Sequence, residues 1–276
     1  MAKKHLLRLG LFPFLLAACQ DTAGLPQEAT PFPGGQWRSL GLDDEQVSVL
    51  KIHGSDMYAG TTNGLYHREL DAPESSWTPV GLEGKEVRDL VVFDARHLLV
   101  AGPLSGQGNQ AHSVYRTVNG GDTWQEYQNG LGGGGPYNQI FGLVAVSPSE
   151  LLAAGRMVVA RSEDGGESWN DVWGDWGSDG GWILLAWDST WPDLAWYGAR
   201  TGYFTPLLLK SSDGGQSWTR MDAGSSSLAH LSLAVDPADS ARVFSGMSGR
   251  VVRSNDGAES WETILEGTAP HMFGLA

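Results

Sequence analysis

The sequence contains a single cysteine, Cys19, among its 276 residues. One cysteine cannot form a disulfide within the chain, so an oxidising compartment leaves it no structural partner. The seven histidines show neither the HxH nor the HExxH spacing of metal sites, and neither a P-loop nor a G-x-S-x-G motif is present. We therefore expect no metal ion and no cofactor.

Basic residues are also few, with 18 Lys and Arg against 32 Asp and Glu and a formal net charge of −14. Three of the 18 lie in the first 18 residues, so the rest of the chain carries 15 basic residues against 32 acidic ones. Binding of nucleic acid needs clustered Lys and Arg on one face. We therefore expect no nucleic-acid partner.

The N-terminus has a basic start followed by an apolar run over residues 11–18. This run is too short to span a bilayer and is typical of a secretory signal. The sequence LAAC at residues 16–19 resembles the bacterial lipobox. The resemblance implies cleavage before Cys19 and lipid modification of that cysteine.

Three segments follow from this interpretation. Residues 1–18 are predicted to be a lipoprotein signal peptide, residues 19–35 a lipid-anchored flexible tether, and residues 36–276 the folded domain. The tether prediction depends on three prolines, three glycines and the lack of apolar periodicity in residues 20–35. We expect a protein of the bacterial cell envelope that is held at the membrane by lipid on Cys19 and faces the periplasm or the exterior.

No stretch has a convincing helical period, but one unit recurs along the chain. Six tryptophans mark it at spacings of 40, 47, 45, 49 and 43 residues: Trp37, Trp77, Trp124, Trp169, Trp218 and Trp261. Each unit has several short apolar runs, then a glycine-rich turn, and then a last run that the tryptophan opens. A period of about 40 to 50 residues is typical of propellers and solenoids.

Short runs rich in Val, Leu, Tyr and Trp, separated by Gly, Asp and Ser, predict four-stranded antiparallel sheets. The first run of each unit is continuously apolar, as expected for the inner strand of a propeller blade, because neighbouring blades cover both of its faces. We predict an all-β fold, a β-propeller with five complete blades and a partial sixth. The two termini form the partial blade, with Trp37 at one end and residues 271–276 at the other.

The turn before the last run of each unit has a repeated sequence. It reads RSEDGGESW at 161–169, KSSDGGQSW at 210–218 and RSNDGAESW at 253–261, with a looser form, RTVNGGDTW, at 116–124. This pattern resembles the Asp-box, or bacterial neuraminidase repeat, of sialidases, xyloglucan-degrading glycosidases, sortilin-type receptors and a photosystem II assembly factor family. The resemblance spans residues 37–276 and implies a propeller whose Asp-boxes lie on the rim, away from the active face.

The Asp-box residues are predicted to be structural. The glycines allow the positive φ that a tight turn needs, the aspartate accepts hydrogen bonds from the turn, the hydroxyl bonds the carboxylate, and the tryptophan buries a large ring. The residues assigned to this role are Ser162, Asp164, Gly165, Trp169, Ser211, Asp213, Gly214, Trp218, Ser254, Asp256, Gly257 and Trp261, with Thr117, Asn119, Gly120 and Trp124 in the looser copy.

Ligands of propellers bind at the face formed by the connections between blades and by the turns between the second and third strands. Several such segments are unusual here: a glycine-rich one at 129–139, a tryptophan-rich one at 170–182, and RTGYFTP at 200–206. Exposed tryptophans beside carboxylates suit sugar recognition, although the same rings also suit packing beneath a loop. The candidate ligand-binding residues are Trp173, Trp176, Trp182, Tyr203, Arg200 and Tyr137, and Trp176 is expected to be the most exposed.

A glycosidase needs two carboxyl groups across a sugar ring, and Asp175 and Asp179 are the candidates for that catalytic pair. The resemblance to sialidases implies an Arg-Ile-Pro signature as well, but none of the 13 arginines is followed by Ile-Pro. Our leading hypothesis is therefore a lipid-anchored, non-enzymatic propeller that binds a protein or glycan through its loop face. The alternatives are a glycoside hydrolase of the xyloglucanase or sialidase type and an assembly or chaperone factor.

Overall fold

The computed structural model of the chain describes residues 39–70, 76–106, 111–132, 138–176, 180–201, 206–222 and 230–267. The regular secondary structure of these residues is twenty β-strands. No helix in this part of the chain is long and apolar enough to cross a membrane.

The strands form five four-stranded antiparallel sheets, and each sheet uses four strands that are consecutive in sequence. The first sheet contains β1 (Val47–His53), β2 (Asp56–Thr61), β3 (Gly64–Glu69) and β4 (Thr78–Gly81); the second contains β5 (Asp89–Val92), β6 (Leu98–Pro103), β7 (His112–Thr117) and β8 (Gln125–Tyr127); the third contains β9 (Ile140–Ala145), β10 (Leu151–Gly155), β11 (Val158–Ser162) and β12 (Asn170–Gly174); the fourth contains β13 (Gly180–Trp187), β14 (Ala195–Thr201), β15 (Pro206–Ser211) and β16 (Thr219–Arg220); and the fifth contains β17 (Ser232–Asp236), β18 (Asp239–Met247), β19 (Arg250–Ser254) and β20 (Glu262–Glu266).

The first strand of each sheet contacts the first strand of the next: β1 meets β5, β5 meets β9, β9 meets β13, and β13 meets β17. The first strands therefore form the inner layer, and the later strands of each sheet lie progressively further out. This is the arrangement of propeller blades, and the predicted all-β propeller is confirmed. The predicted partial sixth blade, with Trp37 and residues 271–276, lies outside the described residues, as does Cys19.

The apolar core lies between neighbouring sheets. One cluster joins the first two sheets through residues such as Tyr58 and Leu98. Another joins the second and third sheets, and includes Leu99 and Trp169. Two further clusters join the third sheet to the fourth and the fourth to the fifth. Each blade is therefore stabilised mainly by the blades beside it, because a single sheet cannot bury its own two faces.

Polar contacts also join the inner strands. The carboxylate of Asp89 in β5 accepts two hydrogen bonds from backbone N–H groups. One comes from Leu143 in β9 at 2.7 Å, and the other comes from the adjacent residue, Leu90, at 2.8 Å. Lys51 Nζ in β1 lies 3.6 Å from the same carboxylate. Burial raises the pKa of Asp89, while Lys51 and the two amides oppose that rise. One side chain thus links three inner strands.

The Asp-box turns lie between the third and fourth strands of their sheets. In the third sheet Ser162 Oγ donates to Asp164 Oδ1 at 2.8 Å and accepts the N–H of Gly166 at 2.9 Å. The Asp164 carboxylate also accepts the N–H of Ser168 at 2.9 Å and its hydroxyl at 2.5 Å. The same bonds recur in the other two complete boxes, between Ser211, Asp213, Gly215 and Ser217, and between Ser254, Asp256, Ala258 and Ser260.

The looser box keeps this geometry with a neutral amide. Thr117 Oγ1 donates to Asn119 Oδ1 at 2.8 Å, and the N–H of Thr123 donates to the same oxygen at 3.0 Å. The Asn119 amide then donates to Thr123 Oγ1 at 2.9 Å, which reverses the direction of that bond. The first glycine of the turn, Gly120, has φ of 73° and donates its N–H to Arg96 O in the turn between β5 and β6. The turn therefore needs the hydrogen bonds more than it needs the charge.

Acid should weaken the charged boxes. Hydrogen bonds from the Ser260 hydroxyl and amide and from the Ser254 hydroxyl lower the pKa of Asp256 to about 2. An unfolded aspartate has a pKa of about 3.9. The folded pKa is the lower one, so the contribution of Asp256 to stability is present above about pH 4 and is lost as the pH falls toward 2. Urea unfolding of Asp256→Asn between pH 5 and pH 2 should therefore show a shallower loss of stability than the parent chain.

The Asp256→Asn variant should still fold, because Asn119 holds the equivalent position in the second sheet. The control is Glu259→Gln, which removes an exposed acid from the same turn. If Asp256→Asn and the parent chain lose stability equally steeply, the carboxylate does not contribute as described.

Candidate functional site

The two ends of the sheets differ in composition. The connections from one sheet to the next, together with the turns between second and third strands, lie at one end, which we call the loop face. The Asp-box turns lie at the opposite end, because they join third and fourth strands. The Asp-boxes are also dispersed over four sheets, so they do not meet at one ligand.

Two arginines of the loop face converge on one aromatic ring. Arg88 lies in the connection to the second sheet, Arg156 lies in the turn between β10 and β11, and Phe141 lies near the start of β9. The guanidinium carbons of Arg88 and Arg156 lie 5.6 and 5.4 Å from the centroid of the Phe141 ring. Both distances are within cation–π range. We call these three residues the arginine–phenylalanine cluster.

Neighbouring groups hold both guanidinium groups in place. Arg156 Nε donates to Gln139 Oε1 at 3.0 Å, and its Nη1 donates to the backbone oxygen of Gly180 at 2.6 Å. Arg88 Nε lies 3.1 Å from Glu86 Oε1, and a third of the Arg88 side chain is exposed. Both guanidinium groups are thus held by neighbouring oxygen atoms as well as by the Phe141 ring.

His112 lies beneath the cluster and adds no charge to it. Its ring is 6.5 Å from the Phe141 ring, it is fully buried, and its Nδ1 lies 3.0 Å from the backbone oxygen of Ile140. Burial, and then the charges of Arg88 and Arg156, lower the pKa of His112 to about 4. The imidazole is therefore neutral near pH 7, and the positive charge of the cluster comes from the two arginines.

Two more arginines lie at the loop face. Arg200 lies one residue before the end of β14, opposite Gly181 and Pro206, and Arg250 opens β19 after the turn from β18. Both residues lie at the loop face, because each borders the turn between the second and third strands of its sheet. The loop face thus carries four arginines in a chain of formal net charge −14. The same face also carries acids, among them Glu83, Glu86 and Asp175, so the positive charge is confined to the surroundings of these arginines.

The predicted tryptophan site is more buried than its sequence suggests. Trp173 lies in β12, half-buried, with its ring 5.7 Å from that of Tyr197 in the next sheet. Trp176 was expected to be exposed, but it is half-buried, and its indole N–H donates to Asp171 Oδ1 at 2.7 Å. A Cβ on Gly132 or Gly155 would lie within 2.7 Å of the Trp176 side chain, so this ring is wedged between two glycines.

The remaining candidates are only partly visible. Tyr137, Tyr203 and Asp179 lie outside the described residues, and so does the side chain of Trp182 in β13. Asp175 is exposed, and its backbone N–H donates to Met157 O at 3.3 Å. Among the described residues there is no group of three or more His, Cys, Asp and Glu side chains that could hold a metal ion.

Known proteins resemble the chain in sequence and in fold. No protein-family model matches the chain. In sequence the chain is similar to the photosystem II assembly lipoprotein Ycf48 of Synechococcus sp. (strain CC9902), with 30% identity over 119 residues, which cover 43% of this chain. The matched segment spans about a third of that relative, 34% of its length.

One solved structure shows the same fold at lower identity, and a second gives a lower TM-score. YCF48 from Cyanidioschyzon merolae superposes with a TM-score of 0.58 and 15% identity, over 83% of this chain and 75% of that one. A GH74 enzyme from Niastella koreensis gives a TM-score of 0.49 and 15% identity, over 80% of this chain and 45% of the enzyme. The chain is thus similar to Ycf48 both in sequence and in fold.

Sequence reasoning missed Arg88, Phe141 and Arg156. These residues lie in three different connections or strands, and no local motif relates them. One sequence feature could have indicated them: few basic residues lie outside the first 18 residues, so each arginine there is a candidate for binding. Arg200 was the one loop-face arginine among the predicted ligand-binding residues.

Proposed function

We propose that the chain is a lipid-anchored envelope propeller whose loop face binds an acidic, extended segment of a partner protein. The observation that carries the proposal is the arginine–phenylalanine cluster, Arg88, Phe141 and Arg156, with its two guanidinium groups held against one ring. Planar guanidinium groups recognise carboxylates through paired hydrogen bonds. Contact of both groups with one phenylalanine ring restricts their rotamers, so less conformational entropy is lost on binding.

A protein ligand agrees with the character of the loop face. Its cationic groups come from separate blades, so a ligand that meets several of them must extend across the face. An extended peptide with spaced Asp or Glu side chains has that form. A neutral glycan does not use the charges, and the half-buried Trp173 and Trp176 offer less ring surface than expected.

The similar protein from Synechococcus supports a role of this kind, because its name describes an assembly lipoprotein. The lipobox-like sequence that ends at Cys19 supports an anchor of the same type in this chain. A membrane-held propeller that grips an acidic segment of a membrane protein during assembly is therefore the function that we infer. The chemistry is binding alone, and it requires no catalytic pair.

The loop face can be tested with labelled peptides. We expect acidic peptides to bind the chain, and the matched peptides with Gln and Asn in place of Glu and Asp to bind poorly, in fluorescence anisotropy. Arg88→Gln and Arg156→Gln should each weaken binding roughly tenfold or more, because a charge-assisted hydrogen bond contributes about 1.5–3 kcal/mol. Because His112 is neutral above its pKa of about 4, affinity should change little between pH 6 and pH 8 through this side chain.

The matched control is Arg253→Gln, which removes a partly exposed arginine of β19 that pairs with Glu262. That variant should bind the peptides as the parent chain does. The proposal is overturned if the neutral peptides bind as tightly as the acidic ones, or if both loop-face variants keep full affinity while remaining folded.

A further inference from the structure

A second candidate site lies between the fourth and fifth sheets, at the end opposite the loop face. The turn from β13 to β14, residues 188–194, borders a cavity of about 230 Å³ whose other wall is β17. A second cavity of about 230 Å³ adjoins it and shares Trp191 and Leu194. Each cavity alone is smaller than the ~300–1,000 Å³ range of small-molecule sites, so a ligand of two rings must use both. We call this pair of cavities the tryptophan cleft.

Aromatic rings form one side of the tryptophan cleft. Trp187 and Trp191 are half-buried, and Trp196 is fully buried beneath them. The indole N–H of Trp187 donates to Pro192 O at 3.0 Å, and that of Trp191 donates to Asp236 O at 3.0 Å. These two bonds fix both rings at their edges. A ligand therefore meets rigid apolar ring surface, and ordering these side chains costs it little entropy.

Polar side chains form the other side. Asp193, Ser212, Ser240 and Lys210 line the second cavity. Within the described part of the chain, neither the Asp193 carboxylate nor the hydroxyls of Ser212 and Ser240 make a hydrogen bond to another residue. Lys210 is already engaged, since its Nζ lies 5.3 Å from the centroid of the Trp196 ring and 3.4 Å from Gly257 O. The cleft thus places acceptors and hydroxyls next to ordered indole rings.

This combination matches a saccharide. The apolar face of a pyranose ring packs on an indole, while its hydroxyl groups need acceptors and donors at the edge. Asp188 and Asp193 border the cleft, and the chain is acidic, which disfavours sugars that carry carboxylates. We propose that the tryptophan cleft binds a neutral or amino-sugar glycan of about two rings, through Trp191 in both cavities and Asp193 in the polar one.

This inference is independent of the peptide site, because the tryptophan cleft and the arginine–phenylalanine cluster lie at opposite ends of the sheets. It assigns to the protein a second ligand class, at a place where the sequence alone indicated none. The loop-face tryptophans had suggested glycan binding from their sequence, whereas here the rings are accompanied by polar side chains without partners among the described residues.

The test is a titration of the purified chain with cellobiose, N,N′-diacetylchitobiose and maltose, followed by intrinsic tryptophan fluorescence and calorimetry. At least one of the three disaccharides should bind with a Kd in the millimolar range, so that the signal saturates above about 10 mM. Asp193→Ala and Ser240→Ala change side chains without partners in the described structure, so both should fold and weaken binding. Trp191→Ala should weaken binding roughly tenfold or more.

Arg88→Gln and Arg156→Gln serve as matched controls and should leave saccharide binding unchanged. Trp191 also packs against the core, so Trp191→Ala could fail to fold. In that case the Asp193→Ala and Ser240→Ala variants provide the test. Saccharide binding that survives those substitutions overturns the proposal, as does the lack of any binding by the three disaccharides. Stronger binding of glucuronic acid than of the neutral sugars also overturns it.

Discussion

Replacing Trp169 with alanine is expected to lower the free energy of unfolding by about 3–5 kcal/mol. Trp169 is only 3% exposed and belongs to the apolar cluster between the second and third sheets. Its indole N–H donates to Gly166 O at 3.1 Å, and its backbone N–H donates to Asn129 O at 3.1 Å. Removal of the ring leaves a cavity bounded by two sheets, which cannot close without moving one blade against the other.

Urea unfolding at pH 7 measures this effect. Trp218→Ala is the matched control, because Trp218 has the same position in the next Asp-box and the same bond to a glycine oxygen but is only half-buried. We expect a smaller loss there. A loss below about 1 kcal/mol for Trp169→Ala would show that the blade interface does not depend on the ring.

Arg242→Ala is expected to lower the free energy of unfolding by about 2–4 kcal/mol, since it removes the opposite charge beside a buried carboxylate. The side chain of Asp236 is completely buried, and Arg242 Nη1 lies 3.0 Å from Asp236 Oδ2. Arg242 itself is 27% exposed, so the expected loss is less than that of a fully buried pair. Asp236 also accepts the N–H of Ala238 at 2.8 Å, a bond that stays in the variant.

The comparison for this prediction is Arg253→Ala in the next strand. Arg253 pairs with Glu262, and both side chains are more than a third exposed, so its removal should cost less than about 1 kcal/mol. The double variant Arg242→Met with Asp236→Leu should recover part of the loss, because it removes the buried charge as well. Equal losses for Arg242→Ala and Arg253→Ala would contradict the role of burial.

The fold was largely predictable because its information is local and repeated. Each unit carries its own strands, its turn glycines and its tryptophan within about 40 to 50 residues, which is the scale on which a blade forms. The Asp-box bonds of Ser162, Asp164 and Ser168 also close within a few residues. Such patterns can be read from one sequence because they need no partner from elsewhere in the chain.

The candidate sites were less predictable. The same sequence feature, a tryptophan near an aspartate, is wedged under a loop at Trp176 and lines an open cleft at Trp191. The difference comes from neighbours that lie in other segments: Gly132 and Gly155 in one case, and β17 in the other. Sequence reasoning therefore found residues of the correct chemical type but could not assign their exposure.

By itself the sequence determined the repeat, the number of strands in each unit, the Asp-box turns and the acidic character of the chain, because each depends on composition or on contacts within one unit. Only the tertiary structure decided that Arg88 and Arg156 meet at Phe141 and that Trp187 and Trp191 border a cleft. Those contacts join different blades, and their geometry is set by how neighbouring sheets pack, which no single repeat encodes.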